Sequence, residues 1–386
     1  MKALRNILLV LCVLTLVALV VMLCMGLSGT HSFWEGNNMA FNFFNFGGGS
    51  SANWLSEFNG DVAPEGHVSF DPAKVNGIEV QWIAGKVEIV YKDVNTDTVE
   101  LVQMGKHDRI AEDRLLAYRL DENGVIHVRE GKGRRVSSGD STNLTIYLPE
   151  GFTFGGDVSL GGISSDVNVS QLTAANVKMN TTSGDIALGK CFAVRADVTS
   201  TSGDISISGM KLDGKLDASS TNGEICVRDS SAVDMEVSTT NGEVIVETSE
   251  ITGKLEMGTT NGELTCSAVS AVTVEATTVS GEVAVSGAFD SIRAHSVNGE
   301  IMVSTTHAPS FVDINTVNGE VLLKLPTDIP GFTVSYSKVN GSFNCDFPTV
   351  QNKNEAVYGD GSSKINVSTV NGEIDIETIE RPNNFS

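Results

Sequence analysis

The dipeptide Asn-Gly or Ser-Gly, followed by an acid and an aliphatic residue, returns about every twenty residues through half of the chain, a period that marks stacked small β units. The series runs Ser183-Gly184-Asp185-Ile186, Ser202-Gly203-Asp204-Ile205, Asn222-Gly223-Glu224-Ile225, Asn241-Gly242-Glu243-Val244 and Asn261-Gly262-Glu263-Leu264. It continues through Ser280-Gly281-Glu282-Val283, Asn298-Gly299-Glu300-Ile301 and Asn318-Gly319-Glu320-Val321. Asn340-Gly341-Ser342-Phe343 and Asn371-Gly372-Glu373-Ile374 close it after longer gaps.

Between these corners the sequence alternates. Val233, Met235 and Val237 share one parity before Asn241-Gly242, and Val244 and Val246 share one after it. Period two places these five inside and the acids outside. The pattern predicts two short strands and two turns per unit, with glycine supplying positive φ at the corner and asparagine bonding locally. If each unit is one coil, equivalent residues stack roughly 4.8 Å apart. Asparagine side chains then bond along the stack, as polar ladders do in cross-β assemblies. Neighbouring exposed carboxylates at that spacing repel by roughly 0.9 kcal/mol in water. Bound cations, splayed side chains or lysines such as Lys190, Lys211, Lys215 and Lys254 are expected to relieve this. The expected fold is all-β: a single-stranded parallel β-solenoid behind one N-terminal transmembrane helix. Asn-Gly is also the strongest short hairpin signal, so an antiparallel β-meander of stacked hairpins is the alternative.

The ends differ from the middle. Residues 7–27 are an unbroken apolar stretch, preceded by Lys2 and Arg5. That length spans a bilayer, and the leading positive charges keep the N-terminus in the cytoplasm, with the rest outside. A cleaved signal peptide is the competing reading. It lacks an Ala-x-Ala site, although Gly26-Leu27-Ser28-Gly29 offers a weak one, and Leu23 before Cys24 makes a poor lipoprotein signal. Both readings export the remainder. The expected organisation is 1–30 cytoplasmic stub and anchor, 31–66 aromatic, Gly- and Asn-rich linker, 67–154 β-rich entry unit, 155–378 repeats and 379–386 polar tail. The linker aromatics, Phe33, Trp34, Phe41, Phe43, Phe44, Phe46, Trp54 and Phe58, surround Gly47-Gly48-Gly49. They suit a headgroup layer, a partner contact or a plain tether. In the entry unit Ile78-Glu79-Val80-Gln81-Trp82 alternates, Asn123-Gly124 is a hairpin turn and Pro149 stops a strand.

These residues resemble a bacterial family, DUF4097, also labelled "putative adhesin". The resemblance rests on residues 78–89, on Leu144-Thr145-Ile146-Tyr147-Leu148-Pro149, on the serial Thr-x-Asn/Ser-Gly-Glu/Asp-Ile units, and on residues 365–374. It covers residues 68–378. It implies a β-solenoid on the cell envelope, often behind a membrane segment, and supplies no catalytic residues.

The net charge of −22 argues against nucleic acid, since displacing counterions from phosphates needs Lys and Arg. Cys12 and Cys24 lie in the apolar segment; Cys191, Cys226, Cys266 and Cys345 form no CxxC pair. Neither a disulfide framework nor a zinc site is expected. Cys266 and Cys345 read as core hydrophobes, whereas Cys226 has the opposite, outward parity. His31, His67, His107, His127, His295 and His307 are scattered, and His107-Asp108-Arg109 reads as a charged strand end or loop. Gly161-Gly162 precedes no helix and is no phosphate loop. No catalytic, cofactor-binding or metal residue is singled out. A divalent-cation stripe along Asp185, Asp204, Glu224, Glu243, Glu263, Glu282, Glu300 and Glu320 stays open.

The expected function is therefore non-catalytic: an extracytoplasmic binding or scaffold protein, held by its N-terminal helix, with an envelope polymer, a cationic peptide or a protein as partner. End-to-end self-association follows if the final coil is poorly capped. The alternative is a carbohydrate-active β-helix enzyme. Its site would lie in the least regular stretch, residues 338–358, with Phe343, Phe347 and Tyr358 and the acids Asp346 and Glu355.

Overall fold

The computed structural model describes residues 58–92, 97–105, 109–131 and 141–379. The expected membrane segment, most of the linker, the tail beyond Ile379, and Cys12, Cys24, His31, His107 and Asp108 lie outside them. Among the described residues, helix is limited to 3₁₀ turns at Pro64–Gly66, Pro72–Lys74 and Glu112–Arg114, and no helix is long and apolar enough to cross a membrane.

The repeats stack parallel and in register. Ile186 faces Ile205, which faces Ile225; Val244, Leu264, Val283, Ile301 and Val321 continue the same column. This is the solenoid arrangement, and the antiparallel meander does not occur in the repeats. A typical coil has three strands rather than the two expected. Asp234–Ser238 precedes the corner, Val244–Glu247 follows it, and the two-residue Glu250–Ile251 closes the side. Two residues are too short for an alternation signal, which is why the third side was not legible. It also moves Val233 from its expected inward position to the edge of a corner, where it is 43% exposed. Met235, Val237, Val244, Val246 and Ile251 fill the interior instead. Each such side chain stabilises the fold by about 1.5–3 kcal/mol relative to exposure.

A further corner lies between the post-Gly strand and the short one. Gln171, Lys190, Gly209, Asp229, Thr248 and Ala268 occupy it in successive coils, all with φ of 50–62°. The left-handed turn is kept while its residue changes, so sequence alone does not mark it.

Chain order and spatial order part company at both ends of the stack. Gly77–Tyr91 lies between Val158–Ser170 on one edge and Val125–Glu130 with Thr142–Leu148 on the other. Antiparallel strands then cover the N-terminal end. Val99–Gly105 pairs with Thr142–Leu148, His67–Phe70 with Val99–Gly105, and Leu116–Leu120 with Val125–Glu130. Asp61–Val62, within the span read as linker, adds to Leu116–Leu120. Beneath this cover sits a buried polar cluster. Glu130 accepts from the backbone N–H of Ile83 (2.9 Å) and Ala84 (3.2 Å), from Thr142 Oγ1 (2.7 Å) and from the Arg114 guanidinium. Trp82 donates its indole N–H to the Thr142 carbonyl at 2.7 Å. A buried carboxylate survives only with its lone pairs met in this way.

At the other end Val321–Pro326 pairs with Ile374–Ile379, not with the next coil in sequence. The chain first builds Gly331–Asn340 and Phe343–Cys345, then returns and inserts Ser363–Asn371 and Ile374–Ile379 beneath them. The last rung in space is thus the penultimate one in sequence. The insert between them forms a hairpin, with Glu355–Gly359 antiparallel on both Gly331–Asn340 and Val350–Asn352.

Candidate functional site: the corner seam

The Asn/Ser-Gly-acid corners align into one continuous seam. Asn241 donates from Nδ2 to Asn222 Oδ1 (2.9 Å), and Asn261 does the same to Asn241 (2.9 Å). Ser280 interrupts the ladder. It resumes from Asn318 to Asn298 (2.8 Å), Asn371 to Asn318 (2.7 Å) and Asn340 to Asn371 (2.8 Å), following spatial rather than sequence order.

Glycine is needed here for close approach more than for φ. A Cβ at Gly262 would sit 1.8 Å from the Gly242 carbonyl oxygen, and one at Gly299 would sit 1.8 Å from that of Gly281. Positive φ occurs in the seam only at Gly242, Gly281, Gly341 and Gly372, at 151–158°, close to extended backbone. The same carbonyls bind a buried hydroxyl column that the sequence reading did not interpret. Thr239 Oγ1 donates to Gly223 O (3.1 Å), Thr259 to Gly242 O (3.1 Å), Thr316 to Gly299 O (3.1 Å) and Thr369 to Gly319 O (3.1 Å). The signal was present, as the first residue of Thr-x-Asn-Gly.

The acids divide into two kinds. Asp166, Asp185 and Asp204 each accept the backbone N–H of the acid one coil on, at 3.1, 2.9 and 2.9 Å. Aspartate is short enough to reach that N–H. From Glu224 onward the seam acids are all glutamates, all exposed and none in an ion pair among the described residues. The lysines expected to offset them sit elsewhere. Lys215 pairs with Asp217 (3.4 Å) and Glu236 (2.5 Å), and Lys254 with Glu256 (2.7 Å) and Glu275 (2.9 Å). Lys211 lies 5.6 Å from the centre of the Phe192 ring, and Lys190 holds a left-handed corner.

Those pairs belong to a second acidic column on the pre-corner strands, Asp197, Asp217, Glu236, Glu256 and Glu275, each in register with the next. Burial, with Glu236 and Asp197 beside it, raises the Asp217 carboxyl against the pull of Lys215. The exposed repeat surface thus carries two parallel acidic columns, one braced by cations and one not. Among the described residues no group of three or more His, Cys, Asp or Glu is placed to hold a metal ion.

Other candidate residues disperse. His67 stands 3.7 Å from Glu100, His295 contacts Asn315 at 3.2 Å, and His307 lies by Thr305. His127 bridges Glu79 (2.9 Å) and Asp121 (3.1 Å). In the irregular stretch, Phe347 and Tyr358 pack with Phe332 to close the core, and Phe343 stacks on Tyr336 at 3.9 Å. Asp346 and Glu355 are both exposed. Cys226 is buried despite its outward parity, being flanked in register by Ser206 and Ile245. Cys266 is buried as expected, but Cys345 is only half-buried because it lies on the last rung.

The family model Toastrack DUF4097 matches residues 74–291 and 285–377. The chain belongs to the DUF4097 Toastrack family. The match starts just before the strand Gly77–Tyr91 and ends within Ile374–Ile379, so it takes in the Toastrack coils and the cover strands Val99–Gly105 and Leu116–Leu120, but not Asp61–Val62 or His67–Phe70. Among solved structures, a "putative cell adhesion protein" from Clostridium sporogenes is similar at 12% identity and a TM-score of 0.18, covering 81% of this chain and 98% of that one. No curated protein matches.

Proposed function

We propose that this Toastrack chain is a non-catalytic binding scaffold of the cell envelope, tethered by residues 7–27, whose acidic face takes a cationic envelope polymer or peptide. The observation that carries this reading is the uncompensated glutamate seam from Glu224 to Glu320. It presents the same group at every rung, which suits a repeating cationic ligand better than a single reacting bond. Electrostatic capture by such an array is strong at low salt and screened as the Debye length falls to about 8 Å at physiological ionic strength.

The test is binding of the full chain to polylysine and to a neutral glycan. The reading expects salt-sensitive binding to polylysine alone, reduced at least tenfold when Glu224, Glu243, Glu263 and Glu282 are changed together to Gln. Unchanged binding by that variant would overturn it. Protease accessibility on intact cells tests the tether and the orientation separately.

A further inference from the structure

We infer that the C-terminal end of the stack is a self-association surface, which joins two copies of this chain tail to tail about a two-fold axis. The last rung in space, Gly331–Asn340 with Phe343–Cys345, is paired on its inner side throughout, by Ser363–Asn371 and Ile374–Ile379. On its outer side Glu355–Gly359 covers only Gly331 to Ser335. Among the described residues no strand pairs with the outer edge of Ser337–Asn340 or of Phe343–Cys345. An open edge of this kind pairs readily with another chain unless it is blunted by charge, proline or a bulge.

This edge is not blunted. Residues 331–345 contain no Asp, Glu or interior Pro, and the one charged residue, Lys338, turns its Nζ onto the Gly341 carbonyl at 2.7 Å. Val339 is 54% exposed.

The seam itself points to what covers the edge. Every corner from Gly184 onward has an acid after its glycine except one, where Ser342 stands. That exception tracks position in space, not in sequence: Glu373, in the last unit of the chain, lies one rung inside Ser342. A carboxylate on an exposed end rung has one neighbouring acid rather than two, so repulsion within the stack gives no reason to lose it there. A second copy does give one. Two-fold pairing through this corner lays Ser337–Asn340 of one copy antiparallel on Phe343–Cys345 of the other, and brings the two residues at position 342 together. Two carboxylates there would face each other in addition to the Glu373 below each.

The partner is a second copy meeting the same end, not the opposite end. The N-terminal end is covered by antiparallel strands whose outermost members, His67–Phe70 and Asp61–Val62, are four and two residues long, and edges that short give little to pair with in a head-to-tail filament. An isologous contact of one edge with itself closes at two subunits.

The experiment is sedimentation velocity on the full chain in detergent, for the native protein and for Ser342→Glu and Val339→Lys. Ser342→Glu restores the acid found at every other corner from Gly184 onward, as glutamate at all but the first two, so the rung has no reason to unfold; circular dichroism checks this. The proposal expects a dimer for the native chain and at least a tenfold weaker association for both variants. A monomeric native chain overturns it, and so does a dimer that survives Ser342→Glu, since the contact would then lie elsewhere.

Discussion

At the residue scale the seam separates two reasons for using glycine. Gly262→Ala drives a Cβ into the Gly242 carbonyl, and overpacking of that kind costs about 1–3 kcal/mol. Gly189→Ala, where the nearest heavy atom is 3.7 Å away, should leave the urea midpoint unchanged or higher. The left-handed corner behaves in the opposite way. Thr248 is β-branched and sits at φ 50°, a conformation that costs an L-residue about 1–2 kcal/mol. Thr248→Gly is therefore expected to raise the midpoint. The thiols give a third check. Burial pushes the Cys266 thiol up to about 12, and raises that of Cys345 from a less buried position. Iodoacetamide should label Cys345 in the native protein and Cys266 only after unfolding.

At the element scale, alternation and corner residues made the long strands legible, because an aliphatic residue at every second position has one physical meaning in a half-buried strand. The two-residue strands and the left-handed corners were not legible, since Gln171, Asp229 and Ala268 share a conformation and no chemistry. The N-terminal cover was visible as strands, but its antiparallel direction depends on pairings and contacts such as Gln103 with Thr142 that are far apart in sequence. His127 ties that cover to the first coil. The Glu79 carboxylate, outweighing burial and aided by Asp121, holds the His127 ring above the ordinary histidine range despite Arg119 nearby. A raised folded-state pKa means that the contribution is complete below about 6.5 and is lost as pH rises through the higher folded value. The native protein should accordingly lose stability across that interval relative to His127→Gln, in urea titrations at pH 5.5, 7 and 8.5.

At the scale of the whole stack, the repeat predicted a parallel pile of coils but not the order of the last two. Asn340 and Asn371 both read as further rungs, and only the pairing of Val321 with Ile374 shows that the later one is inserted first. The out-of-order rung is what gives the seam its uncharged end at Ser342. Everything above it depends on the coils being parallel, in register and stacked in this order. The most direct test is disulfide trapping with paired cysteines on the asparagine ladder, since neighbouring rungs lie within the Cα separation of about 4.4–6.8 Å that a disulfide requires. Asn318→Cys with Asn371→Cys should cross-link rapidly under mild oxidation, as should Asn241→Cys with Asn261→Cys, while Asn318→Cys with Asn340→Cys should not. Cross-linking of 318 to 340 in preference to 371 would contradict the account.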